Sequence, residues 1–346
     1  MAAFRFRCFP AAPGFGAVLL GLLLSGCVKE PTETWPLGPP LPETVAFSQA
    51  GLYPEGVESA GNAGFLVSSE TAGAIGQVKD DGTYSVFADN PALVSTVGLR
   101  IDENRSRLLA AVSDPGYNAA RTTAATRGKL ARLAVFSLLN AQGTPSVVDL
   151  GGVGVAANYP NHFANDVALD ADGNAYVTDS FAPVIYKVSP NLVVSVFAEN
   201  PLFSAPAGMF GLNGIVWHPD GYLLVAKSNT GTLYKIPVVS PAAVSTVNLG
   251  SQNLQGADGL LLLGNELQVV CNAQARVFRL TTADGWANAA VAGTYSAPPL
   301  YPTTLAVRRQ IPGADVASYV LCSSLNALQA GQTPPVEKFI ITRVKF

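Results

Sequence analysis

The sequence predicts an all-β protein: a six-bladed β-propeller of four-stranded antiparallel blades, preceded by an N-terminal signal and a tether. Three observations carry this. From residue 44 onward no long stretch has apolar residues at helical spacing. Short runs of Val, Leu, Ile, Tyr and Phe alternate with Gly, Pro, Asn and Asp clusters, which is the pattern of strands and tight turns. A self-similar block recurs six times along the chain, and a period of about 40–50 residues is that of a propeller blade.

The clearest copies are NDVALDADGNAYVTDS (165–180), NGIVWHPDGYLLVAKS (213–228) and DGLLLLGNELQVVCN (258–272). Weaker ones begin at Glu55, Val97 and Thr303, so the starting positions are 42, 68, 48, 45 and 45 residues apart. Each copy reads as strand, Asp-Gly or Asn-type turn, strand, loop, strand, turn, strand. The sixth copy ends at FIITRVKF, and a strand over Thr44–Phe47 is expected to supply its outer edge and close the ring. The 68-residue step implies insertions at Asp114–Arg132 and Asn140–His162, which belong in loops.

The chain divides into residues 1–26, 27–43 and 44–346. The first segment carries Arg5 and Arg7, no acid, and an apolar run over Phe15–Leu24 too short to span a bilayer. Its ending, Leu24-Ser25-Gly26-Cys27, resembles the bacterial lipoprotein box, which implies export, cleavage before Cys27 and lipid anchoring through that residue. Val28, rather than Asp, favours outer-membrane sorting in that family. Removing residues 1–26 leaves a net charge of −5. Residues 27–43, with five prolines and no apolar periodicity, read as a semi-rigid tether.

Composition excludes several classes. Charged residues make up 13%, with a net charge of −3 and no basic excess, so no nucleic-acid partner is expected. Two His residues exclude the common multi-His zinc sites. GVGVAA (152–157) fits a dinucleotide pattern, but Asn158, Pro160 and Asn161 deny it the following helix, so no nucleotide cofactor is expected. Cys271 and Cys322 lie in apolar strand-like runs and read as buried thiols, a disulfide between them remaining the alternative.

Aligning the copies places Glu55, Val97, Asn165, Asn213, Asp258 and Thr303 at one structural position, the start of the innermost strand. In a propeller these side chains converge on the axis at one end. Glu55, Asn165, Asn213 and Asp258 are oxygen donors with a combined charge of −2, a set suited to Ca²⁺, with another divalent cation open. Four protein ligands leave room for water or a small-molecule substrate.

The runs PEGV (54–57), NDVALD (165–170), LNGIV (212–216) and ADGL (257–260) resemble the calcium-dependent six-bladed propellers. These are the senescence-marker-protein/gluconolactonase group, with paraoxonase and diisopropylfluorophosphatase as relatives, and the phosphotriesterase-like branch in particular. The resemblance covers residues 45 to about 345. It implies that Glu55, Asn165, Asn213 and Asp258 hold a catalytic calcium and that the activity is hydrolysis of lactones or related (phospho)esters. In such a mechanism Asp258 attacks directly or activates water, and Asp166 orients its neighbour Asn165. His162, three residues before Asn165, is a general-base candidate expected near the channel mouth. Where diisopropylfluorophosphatase carries a last-blade His this chain reads CSSLN near Ser323, which argues against phosphofluoridates. Specificity is expected from the loops around Asp114–Arg132, Asn140–His162 and Pro201–Phe210. The alternative is a non-catalytic propeller that binds a ligand or a protein and keeps calcium for rigidity. A strictosidine-synthase-like condensing activity is more remote, since that related fold does not need the metal quartet.

Overall fold

The computed structural model describes residues 37–346. The signal segment, Cys27 and the tether up to residue 36 lie outside the described residues. Twenty-four strands form six four-stranded antiparallel sheets. In blades 1 to 5 the innermost strands are Val57–Ser59, Ser95–Asp102, Ala164–Leu169, Leu212–His218 and Ala257–Leu263, and in blade 6 Pro302–Arg309. Each inner strand packs on the next, and blade 6 packs back on blade 1, so the ring is closed.

The hydrophobic clusters explain why the ring holds. Six separate cores lie at the six interfaces between consecutive blades. Tyr176, Ile185, Ile215 and Leu223, for example, fill the interface of blades 3 and 4. Both faces of most sheets are therefore buried, and the strands read as nearly continuous apolar runs such as VVC and VLC. Cys271 and Cys322 sit in two of these runs as buried free thiols.

Closure follows the predicted scheme. Thr44–Ser48 pairs antiparallel with Lys338–Arg343, from Thr44 opposite Thr342 to Ser48 opposite Lys338, and forms the outer edge of blade 6. Arg308 of blade 6 is buried, pairs with Asp80 of blade 1 through two nitrogens, and donates from Nε to the Gly61 carbonyl at 3.0 Å. Residues 37–43, expected to belong to the tether, are packed against blade 6. Leu41 joins the core, Gly38 N–H donates to the Pro312 carbonyl, and Tyr319 Oη donates to the Pro42 carbonyl at 2.6 Å. The prolines there make an ordered strap, because the last blade offers them an apolar edge and backbone partners.

The second insertion is only partly a loop. Ser146–Asp149 is the outer strand of blade 2, and a 3₁₀ turn over Gly154–Asn158 then packs on blade 3, where Tyr159 Oη donates to Glu199 at 2.6 Å. No helix among the described residues is long and apolar enough to cross a membrane.

Candidate functional site

The ring predicted from the aligned copies exists, and a backbone device aims it. In blades 2 to 6 the pairing of the inner strand with its neighbour slips at the ring position: between Thr96 and Leu99, Ala164 and Val167, Leu212 and Ile215, Ala257 and Leu260, and Pro302 and Leu305. A bulge of this kind re-aims a side chain out of the sheet. The residue after the ring position is glycine in four blades, at 56, 98, 214 and 259. A Cβ on Gly98 would stand 2.5 Å from the Asn165 carbonyl oxygen, and one on Gly214 2.3 Å from that of Asp258. Missing side chains thus let these inner strands press against the next one at its ring residue, or in blade 5 at Thr304 beside it. At the other two junctions polar contacts do the same. Asp166 Oδ2 accepts from Ile215 N–H at 3.1 Å, and Thr303 Oγ1 donates to the Glu55 carbonyl at 2.9 Å.

Glu55, Val97, Asn165, Asn213 and Asp258 line one cavity of about 620 Å³ at the channel mouth. Thr303 is buried beside it, spent on the Glu55 backbone. All four predicted oxygen donors are at least nine-tenths buried. Among the described residues no Lys, Arg or His lines the cavity, although Glu55, Glu70 and Asp258 do. Below the ring, Asp166, Glu58 and Arg100 border a small space of about 10 Å³, where Arg100 pairs with Glu58 at 3.1 Å.

The ring side chains are held from behind. Ser180 Oγ donates its only proton to the Leu212 carbonyl at 2.5 Å, so it can only accept from Asn165 Nδ2, 3.1 Å away. That fixes the amide and leaves Asn165 Oδ1 buried with no hydrogen-bond partner among the described residues; Asn213 Oδ1 is in the same state. Asn272 holds Asp258 in a similar way. Its Oδ1 accepts from Ala273 N–H at 2.6 Å, so its Nδ2 faces Asp258 Oδ2 at 3.2 Å. Burial pushes the Asp258 carboxyl up to about 7, against the pull of its hydrogen bonds to Asn272 and Asn213. Glu55 is driven well above the usual carboxylate range by burial first, then by the charges of Asp258, Asp166 and Glu70.

These properties fit a hard cation. Three buried carboxylates, Glu55, Glu70 and Asp258, face one space without a positive partner among the described residues, and two buried amide oxygens have no donor, a costly arrangement unless something fills it. The donors are all oxygen. No cluster of three or more His, Cys, Asp or Glu side chains arranged for a metal occurs among the described residues, so a site here depends on the two amides.

His162 does not join the ring. Phe163 takes the place facing the cavity, and consecutive side chains of an extended chain point opposite ways. His162 is buried instead on Asp179, with Nδ1 2.8 Å from Oδ2, and Tyr186 Oη donates to the same oxygen at 2.7 Å. Asp179 Oδ1 accepts from the backbone of Phe163, Phe181 and Ala182. The expectation of a base at the channel mouth is corrected, because this carboxylate draws the imidazole into the flank of blade 3.

Of the three loops expected to shape specificity, the first contributes Tyr117 and the third Met209 and Phe210, while residues 140–162 contribute nothing to the cavity. Sequence reasoning missed Glu70, Asn272 and Tyr301. A signal for the first two was present: at the end of the second strand the six copies read Glu70, Ser113, Ser180, Ser228, Asn272 and Ser323.

Among solved structures the chain is similar to Mala s 1, the major allergen of Malassezia sympodialis. The TM-score is 0.67 at 19% identity, over 88% of this chain and 97% of that one. It is also similar to luciferin-regenerating enzyme, with a TM-score of 0.58 at 14% identity over 88% and 95%. A protein assigned as a gluconolactonase gives 0.55 at 15% identity over 89% and 95%. At these identities the likeness is one of fold. No family model matches the chain, and no curated protein matches it by sequence.

Proposed function

We propose that this protein is a calcium-dependent hydrolase of lactones or related esters, with phosphoesters as a further substrate class. The observation that carries the reading is the pair of buried, unpartnered amide oxygens of Asn165 and Asn213, beside the carboxylates of Glu55 and Asp258 in a cavity that no described Lys, Arg or His lines. Glu55, Asn165, Asn213 and Asp258 would hold the ion, which when bound supplies Lewis-acid polarisation of a carbonyl or phosphoryl oxygen.

The chain's own residues do the rest. Asp258, pinned through Oδ2 by Asn272, accepts a proton from water or acts as the nucleophile. No imidazole lines the cavity, so this carboxylate takes the role first considered for His162. Phe163, Phe210 and Met209 form an apolar wall that excludes water from one side of a bound ester. The narrower kinship with the calcium-dependent phosphotriesterase-like propellers belongs to this proposal, as do export and lipid attachment through Cys27.

The test is turnover of a lactone and aryl-ester panel by the purified protein, with calcium and with chelator, beside Asp258→Asn. Loss of turnover in chelator and in the variant is the expected result. A protein that turns over nothing, yet melts lower in chelator, would be the non-catalytic propeller with a structural ion. Indifference to chelator in both readings would remove the metal centre.

A further inference from the structure

Glu70 is the one carboxylate in a second tier of side chains above the ring. At the same place in other blades, Ser113, Ser180 and Ser323 donate to the Ala164, Leu212 and Tyr301 carbonyls, and Asn272 donates to Asp258. Those side chains are consumed in holding the ring. An ionised carboxylate cannot donate, and Glu70 lines the cavity instead. Its backbone is fixed on both sides, by N–H to the Tyr53 carbonyl at 3.3 Å and by Ser95 Oγ donating to its carbonyl at 2.5 Å. The residue is only 6% exposed. Its side chain makes no hydrogen bond or ion pair among the described residues, and burial, then the charge of Asp258, pushes it up to about 8.

A buried carboxylate needs a partner. The cavity wall offers no Lys, Arg or His, and Arg100 lies below the ring on Glu58. Two aromatic residues share the cavity of Glu70. Tyr117 and Tyr301 both line the wall; the Tyr117 hydroxyl is raised by burial and then by the Glu70 charge, and that of Tyr301 by burial, then by the charge of Asp258 and then by that of Glu70. Tyr301 is held in the left-handed backbone region at φ 54°, an outlier for a bulky residue, with its carbonyl clamped by Ser323.

We propose that Glu70, Tyr117 and Tyr301 form a subsite for a positively charged group, so that the ligand of this cavity carries an ammonium or similar cation beside its reacting ester. A buried carboxylate that shares a cavity wall with two aromatic rings is the chemistry that recognises such a group. The inference rests on the metal-centre reading only in taking the charge of Glu55 and Asp258 as neutralised by calcium. An anionic ligand is disfavoured by the Glu70 charge that remains.

The experiment compares three molecules of one shape at saturating calcium: choline, neutral 3,3-dimethylbutanol and anionic 3,3-dimethylbutyrate. Binding is followed by ligand-observed NMR, and calcium affinity of each variant by calorimetry. The expected result is a preference for choline over the neutral isostere of about tenfold, abolished in Glu70→Gln with calcium affinity kept. If Glu70→Gln does not fold, Tyr117→Leu on the insertion loop is read the same way. Equal binding of the three molecules, or no binding of choline, overturns the subsite. Loss of calcium affinity in Glu70→Gln matching that in Asp258→Asn also overturns it and makes Glu70 a ligand. Turnover is not read, so a failed hydrolase assay leaves this result standing.

Discussion

Ser180 Oγ and Asn165 Nδ2 lie 3.1 Å apart, and the bond between them decides which end of the asparagine amide faces the cavity. Ser180→Ala frees that amide to rotate. Calcium affinity is expected to fall about 10-fold to 100-fold, as it does when the partners of metal ligands are removed. Calorimetric titration measures it. Unchanged affinity in a variant that melts normally would mean that Asn165 is not a ligand.

The acid groups of the site set a pH dependence. In the metal-free protein Asp258 is raised from 3.8 to about 7 and Glu70 from 4.5 to about 8. A carboxyl raised by folding stabilises the fold fully below its unfolded value and loses that contribution as pH rises through the folded one. The chelated protein is therefore expected to melt progressively lower between about pH 4 and about pH 8. Calcium competes with these protons, so its affinity and the melting shift it induces are expected to grow over the upper part of that window. A calcium-induced shift that is flat from about pH 5.5 to about pH 8.5 contradicts the assignment.

Gly98→Ala puts a methyl group 2.5 Å from the Asn165 carbonyl and 2.7 Å from the Asp166 Cα. Backbone cannot swing aside as a flexible side chain does. A loss of about 2–4 kcal/mol is expected. Gly221→Ala is the comparison: φ is 83° but nothing lies within 4 Å of the added carbon, so only the conformational cost of about 1–2 kcal/mol applies. Denaturant melts of the two variants, if indistinguishable, would remove close inner-strand contact as a determinant of the ring.

His162→Gln separates structure from chemistry. The imidazole is spent on Asp179 and Tyr186, so the variant is expected to melt lower by several degrees while turnover stays within about threefold. A fall in turnover of about 100-fold at unchanged stability would restore His162 as a base.

The ring of Glu55, Asn165, Asn213 and Asp258 was legible because six copies of one unit repeat its position, and the closing strand because the last copy lacked an outer edge. His162 was misplaced because sequence separation from Asn165 says nothing about which way a side chain turns, and Asp179, seventeen residues on, settles that. Residues 37–43 looked like a spacer because five prolines precede Thr44 from residue 31, yet proline also suits an extended strap against an apolar edge. Tyr301 carried no pattern at all; its importance comes from a backbone angle that only the three-dimensional structure contains.

The last blade is built from both ends of the chain, with Thr44 and Thr342 facing each other across 298 residues. During synthesis the first strand emerges long before its partner. Until Lys338–Arg343 leaves the ribosome, Thr44–Ser48 has no strand to pair with and blade 6 has no outer edge. The nascent polypeptide therefore has no finished native state to lock into early, and contacts this distant in sequence form slowly. Under the export proposed above, such a chain would stay threadable through a translocation channel until Lys338–Arg343 is made, and its ring would close only afterwards.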